Sequence, residues 1–238
     1  MPAADVIVPS PNIWHHPAVY EIENRAQDVH GVIWRTLREH CDWASRDVLD
    51  VGCGNGFHLP VFAATARSVV GVEPYRRLVR GARERVSWLD NVRVVSGVAG
   101  RLRLPDGSAD LVHARTAYFF GRGCQPGLAE ADRVLRPGGT LAIVDLDGAA
   151  PPYGEWLRAD LPRYDSDDVL AFFSEQGFAC YSAATLWRFD DRASLEAVLR
   201  IEFSPKVAER AIAQTPGLTI PVGYRVHIRR KPPGLLTH

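Results

Sequence analysis

VLDVGCGNG, residues 48–56, is an apolar strand that carries an acid, Asp50, and runs into three glycines at alternate positions, Gly52, Gly54 and Gly56. Glycine lets the backbone turn tightly and approach a ligand where any Cβ would clash. In a doubly wound sheet such a turn, at the carboxyl end of a central strand, is where ligands bind. The stretch therefore predicts an α/β fold with a nucleotide-like cofactor over Gly52, Cys53 and Gly54.

The pattern downstream of this turn alternates. A helix near residues 57–66 leads to the strand SVVGVE (68–73), a helix over 75–86 and the strand VRVVSG (92–97). Then come the strand ADLVHA (109–114), a helix over 126–135 and the strand TLAIVDLD (140–147). Strands that alternate with helical segments of about 10 to 15 residues predict crossover connections and a mostly parallel sheet. The last third adds a helix over 166–176 and two strand-like segments, 178–189 and 218–230. Between those two segments, residues 190–217 read as two short helices, with Leu195, Val198, Leu199 and Phe203 on one apolar face and Ser204-Pro205 as a start signal. An insertion of that length is expected to cover a site or to meet a second copy in a homodimer.

Upstream, apolar residues from Asn24 to His40 recur at helical spacing and predict one helix into the first strand. Residues 1–20 are rich in proline and aromatics (Pro9, Pro11, Trp14, Pro17, Tyr20) and predict an irregular arm packed on the domain. The expected organisation is a single domain over 1–238 with a seven-stranded, mostly parallel sheet and helices on both faces. It comprises an arm or lid over 1–23, a cofactor-binding half over 24–147, and a C-terminal part over 148–238 with the helical insertion 190–217.

Composition narrows the partners. The chain has 28 basic and 28 acidic residues, so no global field exists to hold nucleic acid or an anionic membrane. All the basic residues except Lys206 and Lys231 are arginine, a bias expected of GC-rich bacterial genomes. Cys41, Cys53, Cys124 and Cys180 are widely spaced, without a metal or redox motif, and the sequence shows no leader or apolar span. The expectation is a cytoplasmic protein with reduced thiols and no metal.

Glu73 stands 21 residues beyond Gly52, at the end of the next strand, placed to accept hydrogen bonds from two ribose hydroxyls. Nicotinamide enzymes also pair a glycine turn with a downstream acid, but their third glycine would fall at Phe57 rather than Gly56. The G-x-G-x-G spacing after Asp50 resembles motif I of class I S-adenosylmethionine-dependent methyltransferases, of the small-molecule, menaquinone-biosynthesis type. VVGVEP resembles that family's ribose-binding motif. LRLPDGSADLVHAR resembles the approach to its fourth strand, and EADRVLRPGGTLAIVD its following helix, turn and fifth strand.

The resemblance implies a cofactor, S-adenosylmethionine, with S-adenosylhomocysteine as product. It places Gly52, Cys53 and Gly54 at the methionine part, with Asp50 supporting the ammonium group. Glu73 and Pro74 fall at the ribose, Val98 and Ala99 at the adenine edge, and Ala114 beside the methyl group. Many relatives have an acid at the adenine edge where this chain has Val98. Arg115, Tyr118 and Phe119, with Phe120, are expected to face a small-molecule acceptor, together with Trp14, His16 and Tyr20 from the arm.

Methyl transfer is an in-line displacement and needs no covalent residue. A protic acceptor must also lose a proton, for which His16, His113, Tyr118 and Asp145 are the candidates. Against these stand plainer readings. Cys53 fits the loop as a small residue, His113 packs in a strand, and His15 and His16 point opposite ways on an extended segment. The run Arg225–Lys231 makes a solvated face. The competing functions are a non-catalytic cofactor-binding or assembly protein, a nucleic-acid methyltransferase and a nicotinamide oxidoreductase.

Overall fold

The computed structural model describes residue 7 and residues 9–118 and 122–233. Among these, seven strands form one sheet: β1 (Asp47–Val51), β2 (Ser68–Glu73), β3 (Val92–Ser96), β4 (Ala109–Arg115), β5 (Leu135–Leu146), β6 (Ala179–Arg188) and β7 (Thr219–Arg230). Their spatial order is β3-β2-β1-β4-β5-β7-β6. The first five run parallel, and β7 pairs antiparallel with both β5 and β6. The chain order reverses direction between β1 and β4, so ligands are expected outside the carboxyl ends of these two strands.

Four helices precede and follow β1 on one side of the chain order: α1 (Pro11–His15), α2 (Pro17–Ala26), α3 (Val32–His40) and α4 (Leu59–Ala63). The arm is thus helical from Pro11 onward, where an irregular segment was expected. Pro11 and Pro17 each stand at a first helical position, where the fixed φ suits the helix and the missing N–H costs nothing. The helix expected over Asn24–His40 is broken. Asp28 and Gly31 have left-handed φ of 48° and 65°, and the Asp28 carboxylate accepts from Val32 N at 2.6 Å and Ile33 N at 2.9 Å, starting α3 anew.

The remaining helices are α5 (Arg76–Arg85), α6 (Gln125–Val134), α7 (Tyr153–Asp160), α8 (Ser166–Glu175), α9 (Arg192–Glu202) and α10 (Pro205–Gln214). Two cores flank the sheet. One joins Ile33, Leu37, Phe62, Val79, Trp156, Val198 and Ala208; the other joins Leu128, Ala131, Phe172 and Phe173 from α6 and α8. The helices α9 and α10 fill the insertion between β6 and β7, and α9 packs on α2. The insertion and the arm therefore meet.

The run Arg225–Lys231 is not a solvated face. Arg225 is buried, donates to Ser166 O and pairs with Asp147 at 2.9 Å. Arg229 forks onto both oxygens of Asp132 at 2.7 Å, and Lys231 donates to Leu135 O. Alternate residues of β7 face α6 and α8, where these acids and carbonyls lie. Among the described residues no helix is long and apolar enough to cross a membrane.

Candidate active site

The glycine turn after β1 is built from backbone. Gly52 N and Cys53 N donate to Val72 O at 2.8 and 3.1 Å, which ties the turn to β2. Gly52, Gly54 and Gly56 all have left-handed φ, of 76°, 56° and 79°. A Cβ on Gly52 would come within 2.9 Å of Ala117 Cβ, so the segment after β4 closes directly against this turn. Cys53 turns its thiol inward against Gly71, where an added Cβ would lie 2.8 Å from Sγ. Burial, with Asp50 and Glu73 nearby, holds that thiol well above the ordinary range, as befits a packing residue.

Glu73 lies at the end of β2 with 5% exposure. Its Oε2 accepts from Gly54 N at 3.1 Å and its Oε1 from Tyr75 N at 2.9 Å. Burial raises its pKa, and the two backbone donors oppose that rise. Each oxygen keeps a further acceptor site, and two ribose hydroxyls would occupy them. Beside it, Pro74, Ser96, Gly97 and Val98 line a cavity of about 460 Å³ at the ends of β2 and β3, with Arg76 and Arg103 at its wall. Ala99 packs half-buried at the edge of the second core. A buried carboxylate with acceptor sites to spare, a glycine cradle and an adjacent cavity fit an adenosyl cofactor.

Asp50 has the partner that no sequence spacing reveals. Its Oδ1 lies 2.7 Å from His113 Nδ1, with both residues buried on neighbouring strands. His113 Nε2 has no partner, and its ring rests against Phe62 at 5.0 Å. Ala114 is fully buried, its side chain in the second core, while Thr116 (φ 51°) and Ala117 carry the chain over to Gly52.

Above the turn lies the arm. Ile13 reaches Gly54, whose added Cβ would meet Ile13 Cδ1 at 2.9 Å. Trp14 stacks on Tyr75 with centroids 4.6 Å apart, at the mouth of a cavity of about 470 Å³ between α1 and α5. His16 sits exposed at the junction of α1 and α2, and His15 ends α1 rather than lying on extended chain. Asn55 and Arg85 both donate to Glu21, at 3.0 and 2.6 Å, fastening α2 to the turn and to α5.

A polar cluster joins the arm to the insertion. Arg115 donates to Gln27 at 2.6 Å and stands over the Tyr224 ring. Tyr20 meets Thr116, and burial with Glu23 and Glu202 alongside lifts its phenol. Glu23, buried on α2, accepts from Gln27 at 2.7 Å, and Glu202 of α9 accepts from Asn12 and Tyr153. The sequence offered a signal for both acids. Glu23 follows Val19 and Tyr20, and Glu202 follows Leu195, Val198 and Leu199, each at helical spacing on an apolar face.

One expected acceptor residue falls elsewhere. Tyr118 is turned into the second core, its hydroxyl 3.4 Å from Gly127 O, because Gly127 leaves room for the ring. Burial also holds its phenol above the ordinary range. Phe119 and Phe120 lie outside the described residues. Asp145, on the α6–α8 face, has both oxygens unpartnered, and burial pushes it up to about 7. Among the described residues no group of three or more His, Cys, Asp or Glu side chains could hold a metal ion.

Residues 49–143 match the family model of a methyltransferase domain. A protein of Mycolicibacterium smegmatis, named as a probable S-adenosylmethionine-dependent methyltransferase, is 33% identical over 114 residues, 48% of this chain and 42% of that relative. The demethylmenaquinone methyltransferase of Tropheryma whipplei is 33% identical over 147 residues, 58% of each chain. The chain thus spans about half the length of the curated relatives it matches. The crystal structure of YcgJ from Bacillus subtilis superposes with a TM-score of 0.64 at 19% identity, covering 86% of this chain and 100% of that one. The fold is that of the Rossmann-like methyltransferases, and the resemblance carried by the glycine turn, the acid that ends β2 and the fourth and fifth strands is borne out.

Proposed function

We propose that this chain transfers a methyl group from S-adenosylmethionine to a small-molecule acceptor in the cytoplasm. The observation that carries the reading is the Glu73 carboxylate, buried beneath the glycine turn and bonded to Gly54 N, with acceptor sites left for a ribose. The methyltransferase-domain match and the relatives named for that cofactor support it. A small acceptor is supported by the zero net charge, by the arm over the turn, and by a relative named for demethylmenaquinone.

When bound, the cofactor supplies an electrophilic methyl group on a sulfonium. The protein's part is to bind, orient and exclude water; positioning of this kind contributes roughly 7 to 11 kcal/mol. Gly52 to Gly54 and Asp50 would hold the methionine end, with His113 fixing the Asp50 carboxylate, and Glu73 the ribose. Ile13 and Trp14 would exclude water above the turn. Of the candidate bases, His113 is walled in by Trp34 and Phe62 and bonded to Asp50, and Asp145 and Tyr118 lie on the opposite face of the sheet. None of these three is placed to take an acceptor's proton at the turn.

Titration calorimetry tests the reading. S-adenosylhomocysteine should bind at least about ten-fold more tightly than NAD, a difference of roughly 1.4 kcal/mol. Equal or tighter binding of NAD overturns it.

A further inference from the structure

Glu73 and Ser96 are register partners at the ends of β2 and β3, and Gly97 N donates to Glu73 O at 3.2 Å. A base joined to a ribose on Glu73 therefore enters the cavity of about 460 Å³ that opens beside Pro74. The polar side chains of its lining are Arg76, Ser96, Arg101 and Arg103. A guanidinium carries five N–H donors and no acceptor, so the Ser96 hydroxyl is the one acceptor among these side chains. Among the described residues no carboxylate lines the cavity.

Other acceptors nearby are already engaged. The Val98 carbonyl accepts from Arg101 N at 3.0 Å, which folds residues 98–101 into a tight turn along the cavity. Asp106 and Glu130 are both bonded to Arg133, and Glu130 also takes Leu102 N at 2.7 Å. The donors are not engaged to the same degree: Arg76 and Arg103 have no side-chain partner among the described residues. The wall beside the ribose acid thus offers a base donors and almost no acceptors.

That composition distinguishes purines at position 6. Adenine carries an amino donor there, next to the acceptor N7, whereas a 6-oxopurine presents O6 and N7 as two acceptors side by side. A guanidinium forks onto O6 and N7 but meets the amino group of adenine donor to donor. We propose that Arg76 and Arg103 read the acceptor edge of the cofactor's base, so that this chain does not require the 6-amino group and takes a 6-oxopurine at least as tightly as adenine. This rests on the reading of Glu73 and the glycine turn as the cofactor seat. Both arginines are exposed at the cavity wall, so the contribution is set at the low end for a bidentate contact, about five-fold in affinity.

The test is calorimetry of the full chain with S-adenosylhomocysteine and S-inosylhomocysteine, which differ in the base alone. The wild type should bind the inosyl ligand as tightly as the adenosyl ligand or more tightly. The double variant Arg76→Met, Arg103→Met should lose about five-fold in affinity for the inosyl ligand and less than two-fold for the adenosyl ligand. Val98→Asp, which adds a carboxylate to the same lining, should turn the preference to the adenosyl ligand by on the order of ten-fold. The arginine variant removes no bond of the fold, so it judges the proposal even if Val98→Asp disturbs the turn. A wild type that binds the adenosyl ligand more tightly, or an arginine variant that loses both ligands equally, overturns the proposal and leaves the cofactor reading in place. If neither ligand binds, the cofactor reading falls and the proposal with it.

Discussion

The floor of the site and its cover are held by different kinds of bond. In the floor, Gly52 N, Cys53 N and Gly54 N reach Val72 O and Glu73, and the strands on either side keep parallel register. In the cover, side chains do the holding: Asn12 and Tyr153 on Glu202, Asn55 and Arg85 on Glu21, and Thr185 on Asp28. Backbone bonds within a buried sheet break only with the sheet, whereas a cover tied by side chains can open alone. The difference assigns rigidity and ligand shape to the floor, and access to the cover.

The largest expected effect comes from breaking the floor. Gly52→Val places a branched side chain at a left-handed φ and against Ala117, and these two penalties together should weaken binding of S-adenosylhomocysteine by about 4 kcal/mol. Calorimetry measures the loss, and circular dichroism should show the sheet intact. Affinity within about three-fold of the wild type would mean that the turn does not hold the ligand.

A second substitution asks whether the face of the sheet away from the arm affects ligand release. Asp145 lies across the sheet from the arm, and burial without a partner raises it from 3.8 to about 7. Its contribution to stability is therefore full below about pH 4 and is lost as pH rises through 7. Asp145→Asn removes that loss and should stabilise the protein at pH 8 by about 2 to 3 kcal/mol in denaturant unfolding. It should leave the pH profile of ligand release unchanged. A shift in that profile would show that the two faces are coupled.

What the sequence made legible follows the same division. The floor depends on local features, so glycine spacing, the acid at the end of β2 and the apolar runs of buried parallel strands could be read directly. The cover depends on distant partners. Pro11 and Pro17 suggest an irregular arm although they start helices, and α7 follows Pro151 and Pro152 with no sequence signal of its own. His113 meets Asp50 across 63 positions, and Asn12 meets Glu202 across 190. An acid in an apolar stripe, as at Glu23 and Glu202, was the available sign that a buried polar contact awaited it.

A smaller effect is expected from trimming the cover. Trp14→Ala removes the stack on Tyr75 and should weaken binding of S-adenosylhomocysteine by about 1 kcal/mol, mainly through faster release. Stopped-flow traces separate the two rates. A slower association with unchanged release would place Trp14 at the entrance and not on the closed arm.

The central claim is that Glu73 holds a ribose beneath the glycine turn, and a thermodynamic cycle tests it most directly. Calorimetry would compare S-adenosylhomocysteine with its 2′,3′-dideoxyribose analogue on the wild type and on Glu73→Ala. The wild type should prefer the natural ligand, the variant should not, and the coupling energy should be about 1 to 3 kcal/mol, as for hydroxyls that lose a charged acceptor. A coupling energy near zero, with both ligands losing equally on substitution, would contradict the account and remove Glu73 from the cofactor site.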